Sequence, residues 1–574
     1  SFCPAVCTLL TFRAMSASAP GQAEGAGGLP EDFIELLANF NLKGAQNALT
    51  GYGVSSVEGF WDLDGKQVEV MQVEHGLKPL HAQKMRRCLE SQKMEKADNS
   101  PQHNLSDAAP KTEPAEESTA AATEPTTTRV GRIESTQQTA DANSNAPDNP
   151  VIAVAVQQVL SSELSIQIEG TRALRRLLAT ESASLPIQAV IDAGVIPPLI
   201  SFLDRTAQPD LQLEAAWALA NVVSGDFTQT QHCTQQGVIP AFLKLLQAER
   251  ADVREQALWG LGNISGDSVP LRDEVLAGGH VVESLRRELA SEDVSLMTLT
   301  ITRVCTWLFS NLCRGKPKPD VEQLRPMLPT LERMLHTDDS EVLSNCGTAL
   351  AALSDGNNED IQVVVDLGVI PRLVKLMEHH EKSVKREALR VLGNVVSGTE
   401  EQTQAVIDAG ALPVFMELIL DNSAAIRKDS WFAISNVMAG TEEQVQAMFD
   451  CNFKDRFLSR YEAEAGDVQQ ELLYAVANAS SPRSLPHIQM LMDGGCMQLL
   501  ASVLQLESTR MSEAALEALE NVLLCGHDCD QPAFLAGARE SGLEATLTDI
   551  RDSEVDHATK ADDLLERFFL ISNE

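Results

Sequence analysis

A motif of the form Trp-x-x-x-Asn occurs at Trp217/Asn221, Trp259/Asn263 and Trp307/Asn311, with the tryptophans 42 and 48 residues apart. The same frame continues as Arg390/Asn394, Phe432/Asn436 and Tyr474/Asn478. This recurrence constrains the fold more than any other feature, because it demands a repeat array. Residues four apart share one helix face, so every copy sets a flat or long side chain beside a carboxamide. Stacked repeats line these pairs into a ladder. Asn offers both a donor and an acceptor, which suits the backbone of an extended peptide, and indole faces make walls for the stems and charges of Lys or Arg. The ladder reads as a peptide-binding device.

The chain has 574 residues and is 44% hydrophobic, ample material for a core. Length alone would suggest roughly three or four domains, but the repeats override that prior. A period of about 42 residues in apolar helical patterns fits an all-α solenoid of the armadillo or HEAT class, which grows as a right-handed superhelix without closing a globule. Aromatic residues make up only 4% of the chain, and three of the five Trp stand in the repeated frames.

Lys plus Arg number 45 against 82 Asp plus Glu, a formal charge of −37. Nucleic acid is excluded as a partner, since its phosphates need a basic footprint. Cationic partners are favoured through long-range steering. The eleven Cys form no disulfide framework, as expected of free or buried thiols in a reducing compartment. The one tight cluster, Cys525-Gly-His527-Asp-Cys529, lacks a second half at zinc-finger spacing and reads as an ordinary turn between helices, so neither metal nor cofactor is expected. No run of eighteen apolar residues exists, which excludes a membrane span. An apolar patch within residues 1–14 resembles a weak signal peptide, but Met15 offers a simpler start.

Four zones follow along the chain. Residues 1–29 are expected to be disordered, with an Ala/Gly/Ser/Pro-rich stretch from 15. Residues 30–92 carry short amphipathic pieces, among them Phe33, Leu36, Leu37 and Phe40 at helical spacing, and end in Gly76-Leu-Lys-Pro-Leu-His81 opening a last helix. This order of elements resembles a sterile alpha motif (SAM) domain, which implies self-association or partner binding. Residues 93–150 turn to Ser, Thr, Ala, Asn, Pro and Glu and read as a flexible tether. Residues 151–574 are the solenoid, about ten repeats long.

Each repeat has its own punctuation. Asp192-Ala-Gly194-Val-Ile196-Pro197, Gln236-Gly237-Val-Ile239-Pro240, Asp366-Leu-Gly368-Val-Ile370-Pro371 and Asp408-Ala-Gly410-Ala-Leu412-Pro413 set Gly after one helix and Pro at the opening of the next. Here the sequence resembles armadillo repeats: a short first helix, a second opening with Pro, and a third carrying the Trp/Asn frame. Ala215-Ala-Trp217-Ala-Leu-Ala-Asn221-Val-Val-Ser-Gly225, Leu258-Trp259-Gly-Leu-Gly-Asn263-Ile-Ser-Gly266-Asp267, Thr306-Trp307-Leu-Phe-Ser-Asn311-Leu-Cys-Arg314 and Leu389-Arg390-Val-Leu-Gly-Asn394 resemble successive repeats of the importin alpha family. So does Leu353-Ser-Asp-Gly-Asn-Asn-Glu359.

That resemblance implies a nuclear-import adaptor whose groove binds Lys/Arg-rich nuclear localisation signals and which works in cytoplasm and nucleus. Trp217, Asn221, Trp259, Asn263, Trp307 and Asn311 would form its major site, with Asp267 facing the key Lys. The minor site would use Arg390, Asn394, Phe432, Asn436, Tyr474 and Asn478. Its acidic members, Asp429 and Glu471, stand three residues before the aromatic positions. Thr348 and Ala352 occupy the fourth frame where the family carries Trp and Tyr, and Trp431 stands one residue from the frame position of Phe432. Family members also begin with a Lys/Arg-rich segment that binds importin beta, which is not seen here. Only Lys84, Arg86 and Arg87 cluster, on the last SAM-like helix. A nuclear export receptor is the further partner the resemblance implies.

No catalytic constellation is visible, so an enzyme is not expected. Gly260 and Gly262 lie inside a helical frame, where close packing explains them better than phosphate binding. His379-His380 lacks metal spacing. The alternative to an import receptor is a cytoplasmic armadillo scaffold, with SAM-mediated oligomerisation and some other extended peptide in the groove.

Overall fold

The computed structural model describes residues 150–179, 186–290, 296–505, 509–553 and 557–570. The segments read as disordered, SAM-like and linker lie outside the described residues, apart from Pro150. Among those residues there is no strand. They fall into two compact units divided between Ala352 and Leu353.

The first unit opens with α1 (Pro150–Val159) and α2 (Leu164–Leu178). Three-helix repeats follow: α3 (Ile187–Asp192), α4 (Ile196–Leu203) and α5 (Pro209–Val222); then α6 (Phe227–Gln235), α7 (Val238–Leu245) and α8 (Ala251–Asp267). A third set is α9 (Val269–Ala277), α10 (Val281–Leu289) and α11 (Leu296–Cys313). The long helices α2, α5, α8 and α11 pack side by side in that order. Small residues allow this close packing: Ala215, Ala216, Ala218 and Ala257 are fully buried with Leu211, Leu219, Leu258 and Leu261.

The second unit repeats the plan. Its long helices α12 (Lys382–Val395), α15 (Ala424–Val437), α16 (Asp467–Ser480) and α17 (Thr509–Asp528) also pack in sequence. Between the first two stand α13 (Glu400–Asp408) and α14 (Ala411–Leu418). Short first helices are held by a device absent from the sequence reading. Gln402 closes a capping box with Thr399, and its Nε2 also donates to the Asn358 carbonyl at 2.9 Å in the preceding repeat. Gln444 does the same with Thr441 and the Glu400 carbonyl, at 2.8 Å.

The Gly/Pro punctuation holds, with one correction. Pro197 and Pro371 are the second residues of their helices, one place inside the expected opening. Pro240 and Pro413 fall two residues inside α7 and α14, because Gly237 (φ 90°) and Gly410 (φ 81°) are themselves the N-caps. Either way the missing N–H is one of the orphan donors of a first turn. The Cys525 cluster is also corrected: Cys525, His527 and Asp528 form the last helical turn of α17, and the chain turns at Asp530 (φ 53°). Cys525 is buried and Cys529 exposed, and among the described residues no group of His, Cys, Asp and Glu is placed to hold a metal ion.

Candidate functional site

In the first unit, the three expected frames lie on α5, α8 and α11, the adjacent long helices. Trp217, Trp259 and Trp307 are half-buried, while Asn221, Asn263 and Asn311 are 7%, 2% and 5% exposed. The carboxamides follow one rule across repeats. Asn263 Nδ2 donates to the Ala220 carbonyl and Asn311 Nδ2 to the Gly262 carbonyl, both at 3.1 Å. Each therefore grips the residue just before the Asn of the preceding frame. One donor of each amide thus holds the ladder together, a role the sequence reading did not foresee. Asn221 Nδ2, Asn263 Oδ1 and the Trp217 indole N–H are buried without a hydrogen-bond partner.

The aromatic walls differ from one another. The Trp259 and Trp307 rings stand 5.2 Å apart, tilted by 49°. Trp217 carries on its face the guanidinium of Arg175, 4.1 Å from the ring centre. Arg175 and Arg172, both on α2, reach the two oxygens of Glu214, each at 2.6 Å. Asp267 closes α8 one turn beyond Asn263 and is half-buried. Glu255 stands one turn before Trp259; burial raises its pKa, and the neighbouring indole partly opposes that rise. Glu255, Trp259, Asn263 and Asp267 thus share one face at four-residue steps. Glu255 was legible in that spacing and was missed.

The second unit brings together the remaining residues. Arg390 is exposed and pairs with Glu387 at 2.8 Å. Asn394 Nδ2 donates to Ser354 Oγ at 3.1 Å. Asn478 Nδ2 donates to the Ser435 carbonyl at 2.8 Å, repeating the rule of the first unit. Asn436 breaks it, bonding back to the Phe432 carbonyl of its own helix at 2.8 Å. Phe432 and Tyr474 are half-buried, and the Tyr474 hydroxyl accepts from Gln470 at 2.7 Å. Asp429 is 3.5 Å from Arg386, and burial raises its pKa despite that cation. Glu471 is buried, 8% exposed. Trp431 does not displace into the frame: it is fully buried and meets Phe453 edge-on at 6.2 Å, a core residue. At the end of the first unit, Thr348 turns its hydroxyl to the Ser344 carbonyl of its own helix at 3.0 Å, and Ala352, one turn on, is half-buried.

The armadillo/beta-catenin-like repeat family matches residues 183–224, 228–266 and 357–397. Importin subunit alpha-1b of Oryza sativa subsp. japonica is 47% identical over 234 residues, 41% of this chain and 43% of that protein. Importin subunit alpha-2 of Arabidopsis thaliana is 47% identical over 221 residues, 38% of this chain and 40% of that protein. The matches thus span about two fifths of the length of these curated relatives. Among solved structures, an engineered protein superposes with a TM-score of 0.65 at 25% identity, covering 72% of this chain and 98% of its own. Among the described residues no helix is long and apolar enough to cross a membrane. With these repeats and frames the described residues form an all-α array of armadillo-type repeats, and over about two fifths of its length the chain is similar to importin alpha subunits.

Proposed function

We propose that the chain is a receptor for Lys/Arg-rich nuclear localisation signals, with the first unit's ladder as its major site and the second unit's as a weaker one. The observation that carries this is the alignment of three Trp/Asn frames on adjacent packed helices, with unused polar atoms at Asn221, Asn263 and Trp217. Buried polar groups without partners cost about 1 to 3 kcal/mol each, and a peptide backbone supplies both the donor and the acceptor they lack. Indole faces hold aliphatic stems and ammonium charges. Asp267 and Glu255 lie on the same face as Trp259 and supply negative charge for a Lys. The relatives support the same reading, because they are importin alpha subunits. Signal-bearing cargo, importin beta and an export receptor are the proposed partners, in cytoplasm and nucleus, with self-association through residues 30–92.

A titration of the full chain with a labelled Lys-rich peptide tests this. Micromolar or tighter affinity is expected, roughly −8 kcal/mol or better. Asp267→Lys puts a repulsive charge where a carboxylate stood and should remove most of the binding. Equal affinity of variant and parent overturns the assignment.

A further inference from the structure

Gly262 stands immediately before Asn263 on α8, and two independent contacts from α11 converge on it. A Cβ at Gly262 would lie 2.2 Å from Cζ3 and 2.7 Å from Cε3 of Trp307, so the benzo edge of that indole occupies the space a side chain would fill. The Gly262 carbonyl meanwhile accepts the hydrogen bond from Asn311 Nδ2 at 3.1 Å. We propose that Gly262 is a positioning residue for the third Trp/Asn pair: its bare Cα seats Trp307 beside Trp259, and its carbonyl fixes Asn311. The proposal rests on the peptide-receptor reading and names what sets the geometry of that site.

Neighbouring frames separate the two contacts. Ala220 and Ser435 hold the same frame position, bear side chains, and still accept from Asn263 and Asn478. The carbonyl contact therefore needs no glycine; the indole does. Gly393 shows the converse, because the ring over it is Phe432, whose nearest atoms lie 3.5 and 3.7 Å from where a Cβ would be. That is ordinary van der Waals contact, so a methyl fits there. Gly260, two residues before Gly262, faces inward instead: its Cβ would lie 2.3 Å from the fully buried Phe242. Gly260 serves the core and Gly262 the ladder.

Ala is a better helix former than Gly, and Trp307 is a half-buried ring that can shift, so Gly262→Ala should leave the fold intact while displacing one wall. Binding of a fluorescein-labelled hexalysine peptide to the full-length chain, read by anisotropy, should weaken about tenfold. Gly393→Ala should not change it. The exciton couplet of the Trp259/Trp307 pair in circular dichroism should change in Gly262→Ala alone, and in a Trp307→Ala background Gly262→Ala should cost nothing more. An unaltered couplet, or a full additional loss in the Trp307→Ala background, overturns the proposal. If the parent binds no hexalysine, the receptor reading fails, and the couplet alone then decides the role of Gly262.

Discussion

The guanidinium of Arg175 lies over the Trp217 ring at 4.1 Å, so the first wall of the ladder is stacked by a cation of the chain itself. Arg175 is 8% exposed and shares Glu214 with Arg172. Arg175→Met keeps most of the packing and removes the charge. Glu214 retains Arg172, so the loss should stop short of that for an orphaned buried carboxylate and amount to about 1 to 3 kcal/mol. A urea-unfolding midpoint on parent and variant measures it. An unchanged midpoint would show that the stack contributes nothing.

The two ladders should rank by their walls. Trp217→Ala with Trp259→Ala removes two indoles, each worth about 1 to 2 kcal/mol toward a basic peptide. Phe432→Ala with Tyr474→Ala should cost less, because Asp429 already has Arg386 at 3.5 Å and Arg390 already has Glu387 at 2.8 Å. Calorimetric titration of both double variants with one peptide decides the order. A larger loss from the second pair reverses it.

The repeat fold was legible because the Trp/Asn spacing and the Gly/Pro punctuation both report a helix-level period. The ladder residues were legible for the same reason, since four-residue steps fix a helix face. Pairings between repeats were not. Nothing in local sequence says that Asn263 bonds to Ala220, that Glu214 is held by Arg172 and Arg175, or that Gly262 seats Trp307, because each links residues about 40 apart across helices. Trp431 and Phe432 could not be told apart from sequence because adjacent residues on a helix face about 100° apart, and only packing around Phe453 shows which of them turns inward.

Salt should weaken peptide binding steeply. The proposed ligand is cationic, the chain carries −37 overall, and exposed charges are screened beyond about 8 Å at physiological ionic strength. Affinities at two salt concentrations suffice. A flat response would point to an apolar ligand and to the scaffold alternative.

Acid should selectively erase one ion-pair contribution in the second unit. The Glu464 carboxylate, its side chain only 2% exposed, accepts from Arg427 at 2.7 and 2.8 Å and is also bonded by Arg460. Burial alone would raise its pKa, but the Arg427 hydrogen bonds and both cations outweigh burial and hold it below the ordinary 4.5. A folded pKa depressed in this way gives stability that is present above 4.5 and lost as pH falls through the folded value. Glu464→Gln leaves two guanidinium groups without their charge partner, so at pH 7 it should cost about 2 to 4 kcal/mol. The gap between parent and variant should narrow steadily as unfolding is repeated below pH 4.5, because the parent then protonates the same group. A gap of equal size at pH 7 and well below the folded pKa would mean that shape, and not charge, is what Glu464 contributes.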